Sequence, residues 1–96
     1  MAGRIIWSPR AAENLEQIFR YIARDSHHYA TLFVKRILAI VQQIHHFPES
    51  GRVVPEYNQK VLRERIYQNY RIVYRIKEHS IEVVAISHAA KPLQDL

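Results

Sequence analysis

The sequence predicts an α+β domain of order β-α-α-β-β-β, with a helical hairpin packed on one face of a small, mostly antiparallel sheet. Three observations carry the prediction. Residues 8–46 contain two stretches whose apolar positions recur at helical spacing. Residues 62–88 contain three runs of β-branched and aromatic residues with turn residues between them. The connection between the halves holds Pro48, Gly51 and Pro55, and so breaks either kind of regular structure.

The elements follow in order. Arg4 to Trp7 is short, apolar and β-prone, and reads as a strand. Ser8-Pro9 places serine at the N-cap and proline at the first helical position, a strong helix start. From there to about Arg24, Leu15, Ile18, Phe19 and Ile22 fall at i, i+3, i+4 and i+7, one face of an amphipathic helix. Asp25-Ser26 breaks it, and either residue can cap the next helix. The second helix runs from about His28 to His46 with the stripe Ala30, Phe33, Val34, Ile37, Val41 and Ile44. It ends before Pro48, because the residue preceding a proline is pushed out of helical geometry. So short a connection makes the two helices an antiparallel hairpin. Glu49 to Gln59 reads as loop, and the tail after His88 is too short for a further helix.

The stretch from Leu62 to His88 sets the sheet. Hairpins turn near Gln68-Asn69 and at Glu78-His79. The second puts Lys77 opposite Ser80 and Arg75 opposite Glu82, an opposite-charge pair. Alternation then gives a core face of Tyr70, Ile72, Tyr74, Ile76, Ile81, Val83 and Ala85. The other face carries Arg71, Val73, Arg75, Glu82, Val84, Ile86 and His88. Leu62 and Ile66 are expected to join the core face, which sends Arg63 and Arg65 to the side of Arg71. That requires an odd loop or a bulge between Ile66 and Tyr70, since a two-residue loop would turn both arginines coreward at a high desolvation cost. The result is one open face bearing Arg63, Arg65, Arg71, Arg75 and His88, with Glu64 coreward and in need of a partner.

Ninety-six residues make one domain, 1–96, with room for one modest core. A net charge of +5 favours polyanions or an acidic protein partner. The chain has no cysteine, which excludes disulfides and thiolate chemistry. No apolar run approaches the ~20 residues of a membrane span. The N-terminus has no signal-peptide core, so a cytoplasmic protein is the default. The pairs His27-His28 and His45-His46 point about 100° apart on a helix, which is poor metal geometry. No metal or cofactor is expected, and no phosphate-cradling glycine loop or nucleophilic triad is visible.

In order and spacing, IIWSPRAAENLEQIFRYIARDS, FPESGRVVPE, LRERIYQNYRIVYRI and VVAISHAAKPL resemble the RelE/ParE superfamily, the toxins of type II toxin–antitoxin modules. The resemblance covers almost the whole chain. It implies a growth-inhibiting toxin held inactive by a cognate antitoxin, and it implies two possible activities. ParE-type members poison DNA gyrase; RelE-type members are ribosome-dependent mRNA endonucleases. Arg63, Arg65 and Arg71 match hairpin positions of the RelE pattern if the connection here is one residue shorter. Lys91 matches a basic position after the last strand, and His88 lies close to a histidine of other nuclease members. Against this, the chain ends at Leu96 without the C-terminal tyrosine of that pattern, and Ala89 follows His88 where some nucleases carry tyrosine. The long helical hairpin and short tail look ParE-like, and that branch is favoured.

Were the chain a nuclease, Arg65 and Arg71 would clamp the phosphate, His88 would be the acid or base, and Lys91 would support them. Arginine stabilises charge but cannot act as the base, whereas histidine titrates near neutral pH. Arg52, Arg63 and Arg75 are the candidate nucleic-acid or target contacts. Val73, Val84 and Ile86, expected as apolar positions on the open face, are the candidate antitoxin contacts.

Overall fold

The computed structural model describes residues 3–96. The reading of the N-terminus as leaderless falls partly on Met1 and Ala2, which lie outside the described residues. Strand β1 (Arg4–Trp7) leads into α1 (Pro9–Ala23) and α2 (His27–His46). A 3₁₀ turn, Pro48–Ser50, follows, then β2 (Arg52–Val53), β3 (Leu62–Tyr67), β4 (Tyr70–Ile76) and β5 (Ser80–His88). The sheet has five strands in the order β1-β5-β4-β3-β2, and only the β1–β5 pair is parallel. The expected α+β order is therefore present, with the two-residue β2 added inside the connection.

Both helices begin where their caps dictate. Ser8 accepts a hydrogen bond from the Ala11 N–H with Pro9 in the first helical position, and Ser26 accepts from the Tyr29 N–H. The α2 stripe supplies Phe33, Ile37, Val41 and Ile44 to a core completed by Ala11 of α1 and by Ile72, Tyr74, Ile81, Val83 and Ile86 of the sheet. The α1 stripe is shallower: Leu15, Ile18 and Ile22 are only half-buried against that core.

The register departs from expectation twice. First, β3 and β4 are joined by the two-residue loop Gln68-Asn69, so Ile66 pairs with Arg71, Arg65 with Ile72, Glu64 with Val73 and Arg63 with Tyr74. Gln68 takes a φ of 52° to make this turn. Second, β5 carries an extra residue. Val73 pairs with Ala85 but Tyr74 with Val83, leaving Val84 unmatched in a bulge. The bulge reverses the faces of the residues after it. Ile86 goes to the helix-covered core and Ala85 to the opposite face, the reverse of the strict alternation expected. Helix α1 repairs the interrupted edge: Ser8 Oγ donates to the Val84 carbonyl (3.1 Å) and Asn14 Oδ1 accepts from the Ile86 N–H (3.0 Å).

The opposite face is not open. Val54, Leu62, Val73, Val84, Ala85 and Leu93 form a second apolar cluster there, with Tyr57 and Leu96 against it. The connection before β3 and the C-terminal tail are folded over the sheet. Arg10 holds the tail from α1 by donating to the carbonyls of Asp95 (2.9 Å) and Gln94 (3.1 Å), and the Leu96 N–H donates to Tyr57 Oη (3.3 Å). Two thin cores, one on each side of the sheet, replace the single core expected.

Candidate functional site

Strand β3 distributes the arginines. Because Arg65 faces with Ile72 and Arg71 with Ile66, the two proposed phosphate-clamp residues stand on opposite sides of the sheet. This corrects the shared open face, and with it the grouping of Arg63, Arg65, Arg71, Arg75 and His88. The physical cause is loop parity: a two-residue hairpin reverses the side of every β3 residue relative to an odd loop. Leu62 finds burial in the second core, and Ile66 remains 48 % exposed. Arg63 and Arg65 avoid the desolvation cost by lying at the flank of the sheet, beside the end of α2, where they are half-buried.

Arg71 is consumed in a buried network. Its Nε and Nη2 reach Glu64 Oε1 at 2.6 Å, and Nη1 and Nη2 grip the two Glu56 oxygens at 2.7 Å. Arg52 Nε donates to the other Glu64 oxygen at 2.6 Å, and the Leu93 N–H donates to Glu56 at 3.2 Å. Two guanidinium groups thus balance two carboxylates. Glu64, 1 % exposed, has the partners its burial demands, although it faces the second core and not the helices. The Arg71 hydrogen bonds hold the Glu56 carboxyl at about 2, below its ordinary 4.5. The Glu56 carboxylate in turn pushes Arg71 further up. Arg71 is left with no free face for a phosphate. Glu56 gave no signal in the sequence, since an acidic residue in a loop reads as solvated.

Arg75 remains on the second face, where Glu82 lies 3.7 Å away as its cross-strand partner. Val73, Val84 and Ile86 were expected to be exposed. They are buried at 0, 8 and 3 %, the first two under the tail and connection and Ile86 under the helices. In this fold they present no surface to an antitoxin.

His88 and Lys91 do come together, but in a different place. They line a cleft of about 750 Å³ between α1, the end of β5 and the tail, with Arg10, Asn14, Tyr21 and Tyr70. His88 Nδ1 accepts from the Ala90 N–H (3.3 Å), which leaves Nε2 as the protonated nitrogen of the neutral ring, and the ring meets Tyr70 edge-on. Neither Arg65 nor Arg71 lines this cleft. The four residues proposed for phosphodiester cleavage are therefore not gathered at one centre.

Two further surfaces stand out. Trp7, Leu15, Phe19, Val34 and Leu38 line an apolar furrow of about 370 Å³ along the helical hairpin. Sequence periodicity assigned Leu15, Phe19 and Val34 to the core; all three are only half-buried, and of them Leu15 packs against the main core. The second surface is the corner at Ser50-Gly51. Tyr74 Oη donates to the Pro48 carbonyl (2.5 Å) and accepts from the Gly51 N–H (2.9 Å), and burial raises the Tyr74 phenol. A Cβ on residue 51 would lie 2.6 Å from both the Glu64 carbonyl oxygen and Tyr74 Oη, so glycine is required there.

Comparison with known proteins follows the same lines. A solved chain described as "Chromosomal ParDE TA system from P. aeruginosa" matches with a TM-score of 0.72 at 20 % identity, covering 92 % of this chain and 96 % of that one. That likeness establishes the fold. A curated Sinorhizobium fredii protein described as "Putative toxin Y4kP" is 34 % identical over 88 residues, covering 90 % of this chain and 88 % of its own. The family model described as "ParE toxin of type II toxin-antitoxin system, parDE" matches residues 5–93. The chain belongs to the ParE toxin family of type II toxin–antitoxin systems.

Proposed function

We propose that this toxin acts by binding and poisoning DNA gyrase, and that a cognate antitoxin neutralises it. The observation that supports this over mRNA cleavage is the separation of Arg65 from Arg71, with Arg71 closed in ion pairs to Glu56 and Glu64. General acid–base cleavage needs its proton-transfer and charge-stabilising groups within hydrogen-bond reach of one phosphate. A poison that works by binding needs only a fixed surface. Among the described residues no helix is long and apolar enough to cross a membrane.

The furrow along the helical hairpin is the seat we assign to the antitoxin, in place of Val73, Val84 and Ile86. Its apolar lining suits the greasy stripe of an amphipathic helix, and the P. aeruginosa relative is described as a ParDE system. The test is a gyrase supercoiling assay with purified toxin. Inhibition that is reversed by stoichiometric antitoxin is expected; full supercoiling at saturating toxin contradicts the reading.

A further inference from the structure

We propose that Arg63 and Arg65 form a clamp for phosphate groups of duplex DNA, so that the toxin grips the nucleic acid on which its target works. The choice of DNA as the polyanion rests on the gyrase reading; the clamp itself rests on geometry. Arg63 and Arg65 are two residues apart on β3, so both project from the same face, about 6.6 Å apart along the strand. Both turn to one corner: Arg63 Nη1 donates to the Gly51 carbonyl (3.1 Å) and Arg65 Nη1 to Ser50 Oγ (3.3 Å). Their remaining bonds go to the Lys60 carbonyl (2.7 Å) and to Gln43 Oε1 (3.1 Å).

Every one of these acceptors is neutral. Arg20, Arg52, Arg71 and Arg75 each lie within 4 Å of a carboxylate, whereas among the described residues no carboxylate lies that close to Arg63 or Arg65. Glu49, in the adjoining turn, forms no ion pair with either. The two guanidinium groups are thus oriented while their charge is left unbalanced. Each has five N–H donors and uses two, so donors remain for a phosphate. The corner that aims them is rigid, because the buried Tyr74 hydroxyl pins Pro48 and Gly51 from below. Lys60, in the turn just before β3, adds a further cation nearby in the chain. Guanidinium groups held in advance lose little freedom on binding, which favours fixed phosphates over mobile acidic side chains.

The experiment measures binding of the whole toxin to a short fluorescein-labelled duplex by anisotropy across a salt series. It compares wild type with R63Q/R65Q, R63K/R65K and the control R20Q, each checked by circular dichroism. The slope of log K against log salt is expected to fall by about 1.8 in magnitude for the glutamine pair, near 0.9 for each lost phosphate contact. The lysine pair and R20Q are expected to keep the wild-type slope. No wild-type binding at low salt, or an equal slope in wild type and R63Q/R65Q, overturns the clamp. So does a loss of binding to gyrase subunits without DNA when the DNA slope is unchanged, because the arginines then serve an acidic protein surface. Supercoiling inhibition is read separately. Inhibition with an unchanged slope removes the clamp and leaves the gyrase reading standing; a reduced slope with no inhibition does the reverse.

Discussion

The two sides of the sheet are closed by different means. On one side, α2 lays Phe33, Ile37, Val41 and Ile44 onto Ile72, Tyr74, Ile81 and Val83, and the seal is almost wholly apolar. On the other, a loop and a tail without regular structure bring Val54 and Leu93, with Tyr57 and Leu96 partly buried against them, and the charged network Arg52–Glu64–Arg71–Glu56 lies beside them. The helical side draws on burial, which is non-directional and tolerant of small shifts. The tail side depends on paired charges, which stabilise only while every partner is present. The difference teaches where an arginine is available. On the tail side Arg52, Arg71 and Arg75 are tied to carboxylates, and the two arginines on β3 that face the helical side are not.

The largest expected effect comes from breaking the charged side. Glu64→Ala leaves Arg71 buried against a single partner and Arg52 without one, and should cost about 3–5 kcal/mol in urea denaturation. A cost below about 1 kcal/mol would make the network ornamental. Next, Ile37→Ala and Leu93→Ala compare the two seals directly. Ile37 is packed rigidly between helix and sheet and should cost about 3–4 kcal/mol, whereas the tail around Leu93 can collapse inward and should cost about 2 kcal/mol. Equal costs would mean that the tail is as firmly held as α2.

A pH series sharpens the same contrast. The Glu56 carboxyl is lowered from 4.5 to about 2 in the fold, so its pairing stabilises the protein fully above pH 4.5. That contribution fades as pH falls toward 2. Wild-type stability should therefore drop across this window, and Glu56→Gln should flatten the drop without changing its position. The smallest effect is at the hairpin. Gln68 holds a left-handed φ of 52°, and Gln68→Gly should gain about 1 kcal/mol by relieving it. A loss there would point to a different turn.

Much of the fold was legible because its signals are local. Ser8-Pro9 and Asp25-Ser26 marked both helix starts, Pro48 marked an end, and a turn at Glu78-His79 set Arg75 opposite Glu82, as observed. What failed was parity, which no single residue encodes. Gln68-Asn69 lacks the glycine that announces a two-residue turn, so the loop length was inferred from where Leu62 and Ile66 ought to go. That inference assumed one buried face. Val73 and Val84, both expected on the second face, with Leu93 in the tail to cover them, already held the counter-signal. The bulge at Val84 was invisible because VVAI reads equally well in either register. Glu64 was the useful anomaly: a strand residue that could not be left unpaired identified a real network, although on the other side of the sheet.

The most direct test of the account is the cross-strand pairing of β3 and β4, read from nuclear Overhauser contacts in the folded protein. The account predicts backbone contacts joining Arg65 to Ile72 and Ile66 to Arg71. Contacts joining Arg65 to Arg71, with Ile66 opposite Tyr70, would return both arginines to one face and contradict it.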